Sequence, residues 1–328
     1  MFNFFNNPKV PRKIPNGFNT DFNGFTKKYS SFDRNNMILS KNLQLNLDST
    51  KTLKNCNVLI DGMHGTGKTR YFIKPNLLQA NASYMIVDAW GAQYYSMAKF
   101  FEDQGYDIKV LNLEDTSKSQ HYNPFEYIQD EKDIRDMVDC IMANSGHVPF
   151  YRHKLDPNLA TEFSVQVRAF WSVLIAYVAN LDNKDDRTFS TIHKILKDEF
   201  NEEGSLDKII HRMQSSQKFD FLKNDYDEMQ GPETRRRLML EIALPITFTE
   251  ITDFKEITKC DDMDLRSFGE KKTVCFVIIP VAHVAFNSLA TLIFTQLQNT
   301  LEKESSKHRN SKLPIQVMCV LDDFVNLG

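Results

Sequence analysis

The chain has 328 residues, 41% of them hydrophobic and 25% charged, with a net charge of −3. That balance excludes disordered, collagen-like and coiled-coil classes and fits one large domain or two ordinary ones, at roughly 100 to 200 residues each. The charge is uneven: residues 1–70 hold 11 Lys or Arg against 4 Asp or Glu, net +7, which leaves −10 for the rest, so the acidic body can meet nucleic acid only locally.

Residues 1–37 are basic and Asn-rich without a sustained period, and read as a weakly ordered segment. Such a leader has the charge to approach nucleic-acid phosphates or an anionic membrane face, and equally reads as a solvated arm. Next come three β-branched runs, Asn57 to Gly62, Ser83 to Ala89 and Asp107 to Glu114. Helix-length stretches at Lys68 to Leu78 and Ala92 to Gln104 separate them. The order β-α-β-α-β predicts a parallel sheet flanked by helices.

From 130 to 244 strand signals vanish, and helical patterns run through Glu131–Asn144, Pro157–Ala179, Ser190–Phe200, Ser205–Ser215 and Pro232–Leu244. Ser190 and Ser205 are the expected N-caps, and Pro232 suits a first helical turn. Strand patterns resume at Thr273–Pro280 and Ile315–Asp323, with a long helix from about Ser288 to Glu304 between them. The expected organisation is a discontinuous α/β core, 38–129 and 245–328, split by an all-helical insertion at 130–244. The longest apolar run, Phe170 to Ala179, is about half the roughly 20 residues that cross a bilayer. No signal-peptide pattern opens the chain. Cys56, Cys140, Cys260, Cys275 and Cys319 are scattered without a C-x-x-C pair, which argues against a zinc site or disulfide scaffold and fits a reducing cytosol.

Gly62-Met63-His64-Gly65-Thr66-Gly67-Lys68-Thr69 matches the phosphate-loop pattern G-x-x-x-x-G-K-[ST] between a predicted strand and a predicted helix. Glycines permit the backbone turns that aim successive N–H groups at phosphate oxygens at a helix N-terminus. Lys68 is then expected to reach the β and γ phosphates of ATP, and the Thr69 hydroxyl to ligate Mg²⁺. Arg70 either approaches phosphate or pairs with a neighbouring acid. The partner motif is the last strand, which delivers Asp322 and Asp323 at its C-terminal end, where α/β sheets place their ligands. Asp322 is positioned to hold the metal, and Asp323 to polarise the attacking water.

Several stretches carry a wider likeness: Asn57 to Asp88, Gly105 to Ile128, Phe276 to Pro280, Phe294 to Leu301 and Val320 to Gly328. From about Ile38 onward they resemble the TraG/TraD-like coupling proteins of conjugative type IV secretion, which are hexameric DNA-translocating ATPases. The resemblance implies a RecA-like P-loop nucleotide domain with Walker A and Walker B elements and a helical insertion. It also implies ATP and Mg²⁺ as cofactors, single-stranded DNA and a relaxase as partners, a homo-hexamer, and a place at the cytoplasmic face of the membrane beside the secretion channel.

This sequence departs from the family at three places. Asp88-Ala89-Trp90-Gly91-Ala92 stands where an Asp-Pro-Lys-Gly-Glu run is usual, and Val281-Ala282-His283 replaces acidic residues. Asp323 stands for the usual Glu, which draws the carboxylate back by roughly 1.5 Å; a misplacement of about 1 Å can slow a reaction about 10²-fold. The family also implies N-terminal transmembrane helices and further strands past Gly328, so the expectation is a truncated member. The competing reading is an ATP-binding homologue that acts as a non-hydrolysing module or is a remnant; a small-molecule kinase fits the flanking motifs less well.

Among smaller features, Arg235, Arg236 and Arg237 are candidates for DNA phosphates, but adjacent helix positions fan around the axis, which favours a solvated, ion-paired face. His147 and His153 lack a third soft ligand. Phe170, Trp171 and Tyr177 are expected in the helical core, and Cys275 and Cys319 in core strands.

Overall fold

A computed structural model describes residues 27–28, 30, 35–63, 65–144, 157–201, 204–231, 233–235, 237–238, 252–279 and 286–322. The chain divides into two compact units, Met1–Asn81 and Ala82–Gly328.

The first unit is built on a hairpin that the sequence reading did not anticipate. Strand β1 (Asn36–Ser40) pairs antiparallel with β2 (Leu43–Asn46), and the short helix α1 (Ser49–Thr52) follows, capped by the Asp48 carboxylate. After the phosphate loop, a wide π turn (Thr69–Ile73) runs into α2 (Lys74–Leu77). Pro75, two residues past the wide turn, has no N–H to continue the ordinary helical ladder. Asn76 pins this helix to the hairpin: its side-chain oxygen accepts from Ile38 N–H and its amide donates to Ile38 C=O, both at 2.8 Å. The Gln79 amide donates to the Asn36 carbonyl at 2.8 Å.

The expected strand at 57–62 does not form. The segment carries no regular structure, and Val58, Leu59 and Ile60 are exposed. A β-branched run becomes a strand only when a neighbour supplies ladder hydrogen bonds, and none of the described strands pairs with this one.

The second unit centres on a four-stranded sheet of β3 (Ser83–Ala89), β4 (Asp107–Asn112), β5 (Thr273–Ile279) and β6 (Val317–Leu321), in the order β4-β5-β3-β6. Every pairing is parallel. The interior pair β3 and β5 is buried along almost its whole length, as continuous apolar runs in a parallel sheet require. Helix α3 (Ala92–Asp103) connects β3 to β4. Its Phe101 sits fully buried among the rings of Tyr84, Tyr106 and Phe276, at centroid distances of 4.9 to 6.3 Å.

The helical layer comprises α4 (Glu131–Asn144), α5 (Pro157–Ala179), α6 (Phe189–Asn201), α7 (Ser205–Gln214), α8 (Lys223–Glu228) and α9 (Thr252–Ile257). It shares one apolar core with the sheet and with α10 (Asn287–Lys307), which leads to β6. Phe170 and Trp171 lie in that core and Tyr177 packs against it, as expected. Arg135 on α4 grips Asp225 on α8 with two hydrogen bonds of 2.8 Å.

The capping expectations need correction. Helix α6 starts at Phe189, which places Ser190 inside its first turn. Ser205 is the first residue of α7, whose cap is Gly204 at φ 91°. The Glu199 carboxylate, not a serine hydroxyl, accepts from Gly204 N–H at 2.9 Å and Leu206 N–H at 2.5 Å and so satisfies the donors that a helix start leaves over. Of Pro232–Leu244, residues 233–235 and 237–238 are described and helical. Cys275 is buried, but Cys319 is exposed because β6 is an edge strand. No helix among the described residues is long and apolar enough to cross a membrane.

Candidate nucleotide site

The loop from Gly62 to Thr69 takes the conformation its glycines foretell. Gly65 and Gly67 sit at φ 76° and 90°, in the left-handed region that side chains resist. A Cβ on Gly67 would lie 2.6 Å from the Tyr71 ring, and one on Gly62 would lie 2.9 Å from Thr66 Oγ1. The turn is closed by Met63 C=O, which accepts from Thr66 N–H at 3.3 Å and from Thr66 Oγ1 at 2.8 Å.

Lys68 folds back over this turn and donates from Nζ to the carbonyl oxygens of Gly62 at 2.9 Å and Met63 at 3.4 Å. These neutral acceptors hold the ammonium at the mouth of the loop, where a phosphate oxygen would compete as a stronger, charge-assisted partner. Tyr71 N–H donates to Gly67 C=O at 2.8 Å, so helical bonding starts directly at the loop. Met63 and Arg70 point to solvent, Thr69 is half-buried, and His64 lies outside the described residues. The backbone fits a phosphate: it is free of Cβ atoms where it turns hardest, and it ends in a helix N-terminus beside a lysine.

The acidic member of the pattern belongs to the other unit. Asp322 follows β6 directly and is half-buried at the C-terminal end of the parallel sheet; Asp323 lies outside the described residues. Val87 and Leu321 are in register across β3 and β6, so Asp88 and Asp322 leave the same end of the sheet.

Asp88 has a role that sequence reasoning missed. Only 2% exposed, it accepts from the N–H groups of Gln93 at 2.9 Å and Tyr94 at 2.7 Å, and so caps α3 from within β3. Between strand and helix, Trp90 and Gly91 both take positive φ, 66° and 73°. The glycine tolerates this, whereas Trp90 costs roughly 1 to 2 kcal/mol and leaves its ring exposed. A signal was present: Asp on a strand end, four residues before a helical pattern, is an acid at a helix N-terminus. The departure from the family's usual residues at 89–92 therefore leaves the Asp88 cap intact.

The arginine candidates divide. Arg235 is engaged within the protein, with Nε 2.7 Å from Asp207 Oδ1 and a hydrogen bond to Met229 C=O. Arg237 donates to Gln166 Oε1 at 2.6 Å. Arg236, His147, His153 and residues 281–283 lie outside the described residues.

The chain was compared with known proteins. No curated protein sequence matches it. The family model for type IV secretory system conjugative DNA transfer matches residues 24–328, nearly the whole chain. With a parallel α/β sheet and a helical layer to match, the chain belongs to the type IV secretion conjugative DNA-transfer family.

Proposed function

We propose that this member of the family is an ATP-dependent DNA-translocating coupling protein that links transfer DNA to the secretion channel. The observation that carries the reading is the loop at 62–69: left-handed glycines at 65 and 67, Lys68 folded over the turn, and a helix starting at once. In this reading the backbone from Gly62 to Thr69 holds the phosphates, and Lys68 and Arg70 supply positive charge. Thr69 and Asp322 are the oxygen ligands for Mg²⁺, which prefers such hard donors, and Asp323 orients water. When bound, ATP with Mg²⁺ would supply the phosphoanhydride bond whose hydrolysis, transferring the γ-phosphoryl group to water and releasing ADP, drives movement. Single-stranded DNA, a relaxase, the secretion components at the inner membrane face and a ring of six subunits are the partners proposed from the family.

A second reading, ATP binding without productive hydrolysis, is favoured by Asp323 and by the Ala89-Trp90-Gly91-Ala92 run, which lacks the family's lysine and glutamate. One experiment separates the two: Mg²⁺-dependent phosphate release with and without single-stranded DNA, in the native chain and in Lys68→Ala. DNA-stimulated release that disappears in the variant supports the motor. ATP binding with no release above background removes it and leaves the second reading.

A further inference from the structure

We propose that His121, Cys260 and Asp262 form a binding site for a divalent transition-metal ion of the Zn²⁺ type, separate from the nucleotide site. One ligand atom from each residue lies within 4.8 Å of the other two, although 138 positions lie between His121 and Cys260 and the scattered cysteines argue against zinc in the sequence.

The placement is built by the backbone. His121 N–H donates to Asp262 Oδ2 at 3.2 Å, Asp262 N–H donates to His121 C=O at 2.9 Å, and Tyr122 N–H donates to Ile257 C=O at 2.8 Å, so two distant segments are laced together on both sides of His121. The lacing is anchored from below by Tyr122 and Ile257, which are 0% and 1% exposed. The loop carrying the other two ligands is tied separately: Asp261 accepts from the Tyr127 hydroxyl and from Asp264 N–H, and Lys109 Nζ donates to Asp262 C=O at 2.8 Å. His121 Nδ1 and Asp262 Oδ2 are 2.5 Å apart.

One imidazole, one thiol and one carboxylate make a donor set suited to zinc and its neighbours and unsuited to Mg²⁺ or Ca²⁺, which take oxygen ligands. With bonds of about 2.0 to 2.3 Å to zinc, the exposed Cys260 side chain must swing in and the His121–Asp262 contact must open slightly. Cys260 also lines a cavity of about 230 Å³ together with Lys184, Lys259 and Arg266, so water and ions have access to the sulfur. Three protein ligands beside an open cavity leave a coordination position for water or an anion.

The test is a titration of the metal-free full chain with Co²⁺, which reports sulfur ligation through a cobalt–thiolate charge-transfer band. The expected result is one equivalent bound, with that band, displaced by Zn²⁺. The Cys260→Ser variant, which alters an exposed side chain and leaves the lacing intact, should lose the band. His121→Ala and Asp262→Asn should each weaken binding by about tenfold or more. No band in the native chain, a band that survives Cys260→Ser, or unchanged affinity in both other variants would overturn the proposal.

Discussion

Two segments that read as strands in the sequence meet different fates in this molecule. Thr273–Ile279 becomes β5, buried along its length between two parallel neighbours. Asn57–Gly62, whose apolar Val58, Leu59 and Ile60 are flanked by Asn, Asp and Gly, forms no strand and leaves Leu59 86% exposed. The difference lies in the partners: β5 has a ladder on each side and helices over the sheet, whereas no described strand pairs with the residues before the phosphate loop. Composition nominates a strand; hydrogen-bonding neighbours decide it.

The contrast breaks most directly on a pair of truncations. Phe276→Ala, deep in β5, should destabilise the chain by about 3 to 5 kcal/mol, and Leu59→Ala by no more than about 0.5 kcal/mol, both read by urea unfolding. A large loss from Leu59→Ala would mean that the segment is buried in solution. Arg135→Ala comes next. It strands the Asp225 carboxylate, which is 7% exposed, and because the guanidinium is itself partly solvated the loss should be about 2 kcal/mol. Asp225→Asn should recover part of it in the double variant.

The buried unit should also be sensitive to alkali. Burial, with help from Asp225 and Asp220, pushes the Tyr226 hydroxyl up to about 12, and burial pushes the Cys275 thiol up to about 12. Burial likewise raises Tyr106, Tyr122 and Tyr127. Raised folded values mean that the unfolded chain ionises first, so stability is whole below the ordinary thiol and phenol range and falls as pH climbs through roughly 9 to 12. Unfolding midpoints at pH 8 and pH 11 would show the drop; a flat profile would contradict the burial of these groups. Gly67→Ala should cost about 1 to 2 kcal/mol, as a left-handed residue does, but it should abolish nucleotide binding by crowding the Tyr71 ring.

Much of the second unit was legible because its signals are local and agree with one another. Ser83–Ala89, Glu131–Asn144 and Pro157–Ala179 match their predicted ranges, each a run whose apolar pattern points to one kind of element throughout. The hairpin at 36–46 was missed because its turn, Lys41-Asn42, holds no glycine, although Leu43-Gln44-Leu45-Asn46 alternates cleanly. Cys319 was misplaced because burial of an edge strand depends on what lies beyond it, which no single strand encodes. The phosphate loop was readable since glycine spacing is itself the geometry. The Asp88 cap left a signal, an acid just before a helical pattern, although its carboxylate works five residues ahead across a turn of two left-handed residues; the meeting of His121 with Cys260 and Asp262 left none.

The central claim is that the loop at 62–69 grips a nucleoside triphosphate, and equilibrium titration of the full chain with ATP and Mg²⁺ tests it most directly. Saturable binding that weakens at least about tenfold in Lys68→Ala, as loss of a charge-assisted contact requires, is the predicted result. No binding in the native chain, or equal affinity in both proteins, would contradict it.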